Sequence, residues 1–459
     1  MNKNKNLIFI MTDHQRADSI FMVQDGKEVT PNLNKLAKES VKFNRAYTTC
    51  PLCVPARTAL ATGKHPTANG VVLNKGSEPT DTKPIHQYLK ESGYQVGHVG
   101  IDHIRVKPTL KDRVNFDFWI DDDDYFAYAK NKGIDTTRSN EDVCEIMENH
   151  NGNRVKKAYS NARVSKWKYE DNNHKDAFFC SKALEFLDNI DDDKPFALFV
   201  YLWAPHPPLF VPNAHYQLFN PNNITLPNNI GKISLNESET RKYGAPRQLA
   251  ESVDSDYWKE VWSAHLGLVN YADNIIGKIL DKANEIDRNS DTIKLFTVDH
   301  GEHLGQHNMY QKMEMYEQAV NIPLIINVPN SKPREIEEIV SHIDILPTIL
   351  DLLNIEYGDL DGKTLRGVFE GEKLPSDNMV FSQYSGNQPV IGDIRRAVIT
   401  DKYKYVYDEI GTQELYDLKN DSMEMENIAG NALVKDVVSD LYKNCKEFFI
   451  AHNDWIKYE

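Results

Sequence analysis

The chain has 459 residues and a mass of 52.6 kDa, which is more than one ordinary hydrophobic core requires, so we expect a large domain with a smaller one. Its 40% hydrophobic, 10% aromatic and 26% charged residues exclude a wholly disordered, collagenous or membrane-embedded protein. The net charge of −15 disfavours nucleic acid and anionic membranes as general partners. An anionic substrate would therefore need a local cluster of cations or a metal ion.

The N-terminal apolar run, residues 7–11, is too short for the core of a signal peptide and is typical of a buried strand. No other stretch approaches the length of a membrane span. We therefore expect a cytoplasmic protein.

Buried strands alternate with amphipathic helices along most of the chain. Strands are predicted at residues 7–11, 41–47, 94–99, 195–203, 293–298 and 323–328, and helices at 57–61, 85–91, 177–190, 258–286 and 345–353. This order predicts an α/β fold with a mostly parallel sheet that is covered on both faces. Ligands of such sheets bind at the carboxyl ends of the strands.

Residues 103–175 interrupt this pattern with a long polar segment that contains the acidic run 121–124. Such a segment usually forms a lid or an insertion that faces the substrate. A merely solvated excursion is the alternative.

The pattern changes near residue 375. Short strands are predicted at residues 379–384, 396–400, 403–408 and 414–418, followed by a helix at 433–450. We therefore predict a catalytic α/β domain over residues 1–374 and a C-terminal α+β subdomain with an antiparallel sheet over residues 375–459.

The five cysteines are an odd number for so long a chain and do not suggest a disulfide framework; they are Cys50, Cys53, Cys144, Cys180 and Cys445. Cys50 and Cys53 are spaced like a redox pair or half of a zinc site. No second pair with similar spacing is present to complete a zinc site.

The residues after Cys53 favour another interpretation. Cys53, Pro55 and Arg57, followed by Thr62 and Gly63, resemble the signature of the type I sulfatases of the alkaline-phosphatase-like superfamily. In that family a dedicated maturation enzyme converts the cysteine to formylglycine. One hydroxyl of the hydrated aldehyde attacks sulfur, and the other then expels sulfate, which divides one difficult step into two. Ala56 stands where the family often has Ser.

Two Asp-His pairs after predicted strands resemble the metal-binding segments of the same family. They are Asp13 with His14 and Asp299 with His300. The resemblance implies one divalent ion, held by these residues and by the modified Cys53. Calcium is the family default, and imidazole ligands would suit Mn²⁺, Mg²⁺ or Zn²⁺ better.

The resemblance also implies roles for residues outside these pairs. Arg57 would face the hydrate, His103 would take a proton from it, and His206 or Lys312 would protonate the leaving oxygen. Asn74 matches a polar contact to the transferred group.

One position departs from the family pattern. Ile101 stands where the family has a lysine that contacts nucleophile and sulfate. Another cation such as His98 or Arg105 would then have to supply the charge, or the enzyme would prefer a different anion.

The resemblance implies an alkaline-phosphatase-like sandwich that hydrolyses a sulfate monoester of a small carbohydrate or an aryl alcohol. Its partners would be the sulfated substrate and the maturation enzyme. Two alternatives remain: a phosphonate or phosphodiester monoester hydrolase with the same nucleophile, and a catalytically idle protein that binds sulfated sugars.

Overall fold

The computed structural model describes residues 5–150, 153–191, 193–286, 291–376, 378–387, 389 and 391–458. Its strands are β1 (Asn6–Thr12), β2 (Val23–Gln24), β3 (Lys27–Glu28), β4 (Val41–Tyr47), β5 (Gln95–Gly100), β6 (Phe118–Ile120), β7 (Val143–His150), β8 (Asn153–Ser160), β9 (Val164–Lys166), β10 (Phe196–Tyr201), β11 (Leu209–Val211), β12 (Thr292–Val298), β13 (Asn321–Asn327), β14 (Arg334–Ile336), β15 (Val340–Ser341), β16 (Val380–Ser385), β17 (Ile394–Ile399), β18 (Tyr403–Asp408) and β19 (Glu414–Asp417). Its α-helices are α1 (Pro31–Lys38), α2 (Cys53–Thr62), α3 (Pro66–Asn69), α4 (Ile85–Glu91), α5 (Leu110–Arg113), α6 (Asp122–Asn131), α7 (Lys175–Asp188), α8 (Ala245–Glu251), α9 (Trp258–Ile286), α10 (Glu317–Val320), α11 (Ile345–Leu352), α12 (Arg366–Phe369) and α13 (Lys435–Ala451).

A large mixed sheet forms the centre of the molecule. Within the described residues it has nine strands in the order β14-β4-β13-β12-β1-β10-β5-β6, with β15 also paired to β4. The strands from β12 to β6 in this order are mutually parallel, and β13 runs antiparallel to both β12 and β4. The predicted mostly parallel α/β sheet is therefore confirmed.

Alternate side chains of the central strand β1 enter two separate cores. Ile8 and Ile10 belong to the core that includes α9 and α7, whereas Leu7 and Phe9 belong to the core that includes α11. Period-2 alternation with apolar residues on both faces is what a strand covered on both sides requires. Burying each of these side chains contributes roughly 1.5–3 kcal/mol.

A second sheet follows near the C-terminus. Strands β16 to β19 pair consecutively and antiparallel, and α13 packs against them through Leu441, Cys445 and Phe449. The predicted α+β appendage is confirmed, and the boundary at residue 375 stays a prediction.

The polar segment 103–175 contains more regular structure than its sequence indicates. Strand β6 joins the edge of the large sheet, and β7 pairs with β8 in a hairpin. The acidic run begins α6, where the Asp121 carboxylate accepts hydrogen bonds from the backbone N–H groups of Asp123 and Asp124. Acidic side chains stabilise a helix N-terminus.

The described part of the chain has no helix that combines the length and the apolar character needed to cross a membrane. All five cysteines are free in the structure.

Candidate active site

The two Asp-His pairs meet because the strands that precede them are neighbours. β1 and β12 are parallel and in register, with Thr12 opposite Val298. The residues after these two positions, Asp13 and Asp299, therefore emerge side by side at the carboxyl edge of the sheet, where doubly covered sheets hold their ligands.

Cys53 is the first residue of helix α2 and is only 4% exposed. The Asn74 carboxamide oxygen accepts a hydrogen bond from the Val54 N–H at 3.0 Å, and its nitrogen donates to Asn387 at 2.8 Å. Asn74 thus supports the start of α2 and has both ends of its carboxamide engaged. A group on Cys53 lies at the positive end of the helix dipole, which stabilises developing negative charge.

Arg57, one turn further along α2, joins the two acidic segments. Its Nε donates to Asp299 at 2.8 Å and a terminal nitrogen donates to Asp13 at 2.9 Å. All three side chains are buried. Charge-assisted hydrogen bonds of this kind are stronger than neutral ones and hold both carboxylates in place.

Lys312 connects the cysteine with the first Asp-His pair. Its Nζ lies 2.7 Å from Cys53 Sγ and 2.7 Å from His14 Nε2. Burial opposes its charge, but interactions with Cys53 and Asp13 outweigh this effect and raise the pKa of Lys312. Lys312 therefore places a positive charge beside the sulfur atom.

The two imidazoles are oriented by contacts to their outer nitrogens. His14 Nδ1 lies 2.8 Å from the Glu302 carboxylate, and His300 Nδ1 donates to the Gly301 carbonyl at 3.1 Å. Both Nε2 atoms therefore face the cysteine, where His14 Nε2 contacts Lys312 and His300 Nε2 lies 3.3 Å from Cys53 Sγ, and both are placed where a metal ion could use them as ligands. His14 has a φ of 65°, a conformation that non-glycine residues adopt rarely and mostly at functional sites.

Donor atoms of Asp13, His14, Cys53 and His300 all lie within 4.8 Å of one another, so the residues present fit a divalent ion. Asp299 borders this group, with its carboxylate 3.6 Å from His300 Nε2. Two imidazoles suit Mn²⁺ or Zn²⁺ better than Ca²⁺, which prefers oxygen ligands.

We predict that Asp13→Ala reduces bound metal from about one ion per chain to almost none, because the variant removes the carboxylate that neutralises the ion. Elemental analysis of the purified protein measures this loss without reference to activity. Asp18→Ala is the matched control, since Asp18 is half exposed and pairs with Arg16 rather than with the cluster. Full metal content in Asp13→Ala would exclude Asp13 as a ligand.

Burial and neighbouring charge shift the acid–base behaviour of the cluster. Burial and the Asp13 carboxylate raise the pKa of Cys53 to about 12, so the unmodified thiol is a poor nucleophile at neutral pH. Burial and Asp299 raise the pKa of Asp13 to about 7. Asp299 is also buried, but Arg57 keeps its pKa below the usual range.

A cavity of about 810 Å³ opens beside this cluster, and His103 and His206 are among the side chains that line it. The ring centroids of His206 and His14 are 4.4 Å apart, which connects the cavity to the cysteine and Lys312. Six aromatic side chains also line the walls: Tyr125, Phe126, Trp167, Tyr169, Trp203 and Phe210. The polar segment 103–175 supplies four of them.

Two positioning residues escaped the sequence analysis. Asp176, in the first turn of α7, accepts the backbone N–H groups of Trp203 and Ala204 at 2.8 Å each and so holds the loop that carries His206. Glu302 orients His14. Two features of the sequence could have indicated them. Asp176 is an acidic residue in the first turn of a predicted helix, and Glu302 follows Asp299 by three positions.

The position that departs from the family pattern is in the core. Ile101 is 1% exposed, packs in the same apolar cluster as Leu7 and Phe9, and does not line the cavity. The buried His98 ring stacks on Trp119, with the ring centroids 4.1 Å apart. Neither His98 nor Arg105 lines the cavity.

Comparison with known proteins identifies the family. The sulfatase family model matches residues 5–355, and the model of the C-terminal region of N-sulphoglucosamine sulphohydrolase matches residues 305–450. An arylsulfatase of Clostridium perfringens is 25% identical over 95% of this chain and 93% of its own length. An N-acetylglucosamine-6-O-sulfatase of Bacteroides thetaiotaomicron is 26% identical over 94% of this chain and 83% of its own length.

Among solved structures, a phosphonate monoester hydrolase of Agrobacterium radiobacter has the same fold, with a TM-score of 0.79, 20% identity and coverage of 98% of this chain and 96% of its own. The alkaline-phosphatase-like fold is thereby confirmed. Because the sulfatase model covers most of the chain, the protein belongs to the sulfatase family and is a sulfuric ester hydrolase.

Proposed function

We propose that this protein hydrolyses the sulfate monoester of a small carbohydrate. The observation that carries the proposal is the aromatic cavity, which borders the cluster of Cys53, Lys312 and His14 through His206. Aromatic faces pack against the apolar faces of sugar rings, while the polar edges of the rings remain available for hydrogen bonds. The N-acetylglucosamine-6-O-sulfatase among the relatives supports a sugar as the alcohol.

Cys53 is proposed as the nucleophile precursor, with Arg57 and helix α2 supporting it. As formylglycine hydrate, this residue would supply an oxygen nucleophile whose sulfate ester can be broken without water attacking sulfur. The N-terminal end of α2 favours the anionic form, and Arg57 keeps Asp13 and Asp299 in place beneath it.

The metal and Lys312 are proposed to hold the transferred group. A divalent ion bound by Asp13, His14, Asp299, His300 and residue 53 would supply positive charge to the sulfuryl oxygens. Lys312 contributes an ammonium group whose Nζ lies 2.7 Å from Cys53 Sγ. Positive charge arranged in advance around developing negative charge is usually the largest contribution to catalysis.

His103 and His206 are proposed to handle protons at the cavity. Burial lowers the pKa of both, assisted by Arg57 at His103 and by Lys312 at His206, so both are neutral at pH 7. A neutral imidazole accepts a proton, which suits His103 as the base that releases sulfate. His206 Nδ1 donates to the Pro207 carbonyl, so a neutral His206 has no proton on Nε2, and Lys312 is the proposed proton donor to the leaving oxygen.

A phosphonate monoester hydrolase is the second candidate, because a member of that class shares the fold at a TM-score of 0.79. It would use the same nucleophile and metal, so the two candidates differ only in the anion transferred.

The test is a comparison of kcat/KM for N-acetylglucosamine 6-O-sulfate, 4-nitrophenyl sulfate and a phenyl phosphonate monoester, with enzyme co-expressed with a maturation enzyme. We expect the sugar sulfate to exceed the phosphonate by at least about tenfold, or about 1.4 kcal/mol in transition-state stabilisation. A higher value for the phosphonate would favour the second candidate. Binding of the sugar sulfate without any turnover, by protein in which residue 53 is modified, would indicate an idle sugar-binding protein.

A further inference from the structure

Arg138 is an exposed residue that lines the cavity. Among the described residues the structure shows no hydrogen bond, ion pair or stacked ring for its guanidinium group. A guanidinium that lines the cavity without a described protein partner keeps hydrogen-bonding capacity that a ligand can satisfy.

The carboxylates around the cavity are engaged elsewhere. Asp142 accepts from Arg163 at 2.7 Å and from the Ser139 hydroxyl at 2.6 Å. Asp122 pairs with Lys175 at 3.0 Å. Asp142 and Asp122 therefore form their ion pairs with cations other than Arg138, although the chain as a whole carries a charge of −15.

Arg138 acts on the part of the site where the alcohol would leave. Its charge contributes to the lowered pKa of His206, after burial and Lys312. Cys53 itself does not line the cavity, whereas Arg138 and His206 both do. A ligand group that contacts Arg138 would thus belong to the alcohol portion of the ester rather than to the sulfate being transferred.

We propose that Arg138 binds a second anionic group on the alcohol portion, so that the preferred substrate is a saccharide with one more sulfate or carboxylate besides the ester that is cleaved. This inference rests on the proposed sulfatase function and specifies its substrate class. A guanidinium group presents a planar pair of donors that matches the two oxygens of a sulfate or a carboxylate. It also attracts an anion into a cavity of an otherwise acidic protein.

The test uses two sugars that differ only at the amino group: N-acetylglucosamine 6-O-sulfate and glucosamine 2-N,6-O-disulfate. We expect wild-type enzyme to prefer the disulfated sugar, and Arg138→Gln to reduce the ratio of the two kcat/KM values by about tenfold to a hundredfold, mainly through KM. Arg138→Lys keeps the positive charge but lacks the planar pair of donors. Its ratio of kcat/KM values should therefore lie between those of wild-type enzyme and Arg138→Gln.

Lys130→Gln is the matched control, since Lys130 is exposed on α6 outside the cavity and should keep the wild-type ratio. The same comparison with phenyl sulfate and 4-carboxyphenyl sulfate shows whether a carboxylate serves as well as a sulfate. The desulfated product, glucosamine 2-N-sulfate, should also inhibit wild-type enzyme more strongly than Arg138→Gln.

The outcomes separate the two proposals. A wild-type enzyme that cleaves both sugars equally well, or an unchanged ratio in Arg138→Gln, would overturn the role of Arg138 while leaving the sulfatase function intact. Turnover of neither sulfate ester by enzyme with modified Cys53 would overturn the proposed function itself.

Discussion

Replacing Cys53 with Ala is expected to abolish hydrolysis of every ester that the wild-type protein cleaves, with a fall in kcat of at least about 10³-fold. The variant removes the side chain that lies 2.7 Å from Lys312 Nζ and 3.3 Å from His300 Nε2 at the start of α2. No other described cysteine has contacts with Lys312 or with the Asp-His pairs, so nothing replaces it. Steady-state assays of purified variants measure the effect.

Cys50→Ala is the control for this prediction and should retain most of the activity. Cys50 is fully buried, accepts a long hydrogen bond of 3.4 Å from Gln383, and burial raises its pKa well above the usual range. Mass spectrometry of the wild-type peptide should show formylglycine at residue 53 and an intact thiol at residue 50. Equal loss of activity in the two variants would instead indicate a redox or metal pair.

Arg57→Ala is expected to lower the free energy of unfolding by about 3–5 kcal/mol, because breaking a buried ion pair leaves uncompensated charge in the interior. Both Asp13 and Asp299 would lose their guanidinium partner, and both are fully buried. Urea denaturation of metal-free protein measures the change, and activity should fall with it because the carboxylates are no longer held in place.

Arg366→Ala provides the comparison for a similar side chain at the surface. Arg366, the first residue of helix α12, pairs at 3.0 Å with Glu370, which follows the helix, and both side chains are about half exposed. An exposed pair of this kind contributes about 1 kcal/mol or less. If Arg57→Ala were no more destabilising than Arg366→Ala, the buried arrangement at the metal cluster would not contribute to stability as argued.

The spacing of apolar residues along the sequence made much of the fold predictable. Helix α9 was predicted over its full length, because apolar residues recur at helical spacing along all twenty-nine of its residues. The core strands were found within one or two residues of their predicted positions, since continuous apolar runs need burial on both faces. The hairpin of β7 and β8 was missed because its strands are largely polar, and β6 was missed because it has only three residues and its pairing with β5 is a tertiary contact.

The sequence by itself determined the family, the strand–helix order, and the set of side chains able to carry nucleophile, metal and charge, because these follow from residue types at fixed short spacings. Only the tertiary structure decided how these residues are paired. It placed Arg57 between Asp13 and Asp299, which are 286 residues apart in the sequence. It also placed the Asn74 side chain at the start of α2, where it accepts a hydrogen bond from the backbone. It also placed Ile101 in the core, and it placed Arg138 at the cavity without a partner among the described residues. Burial and ion pairing depend on which segments fold against one another, and short-range spacing does not contain that information.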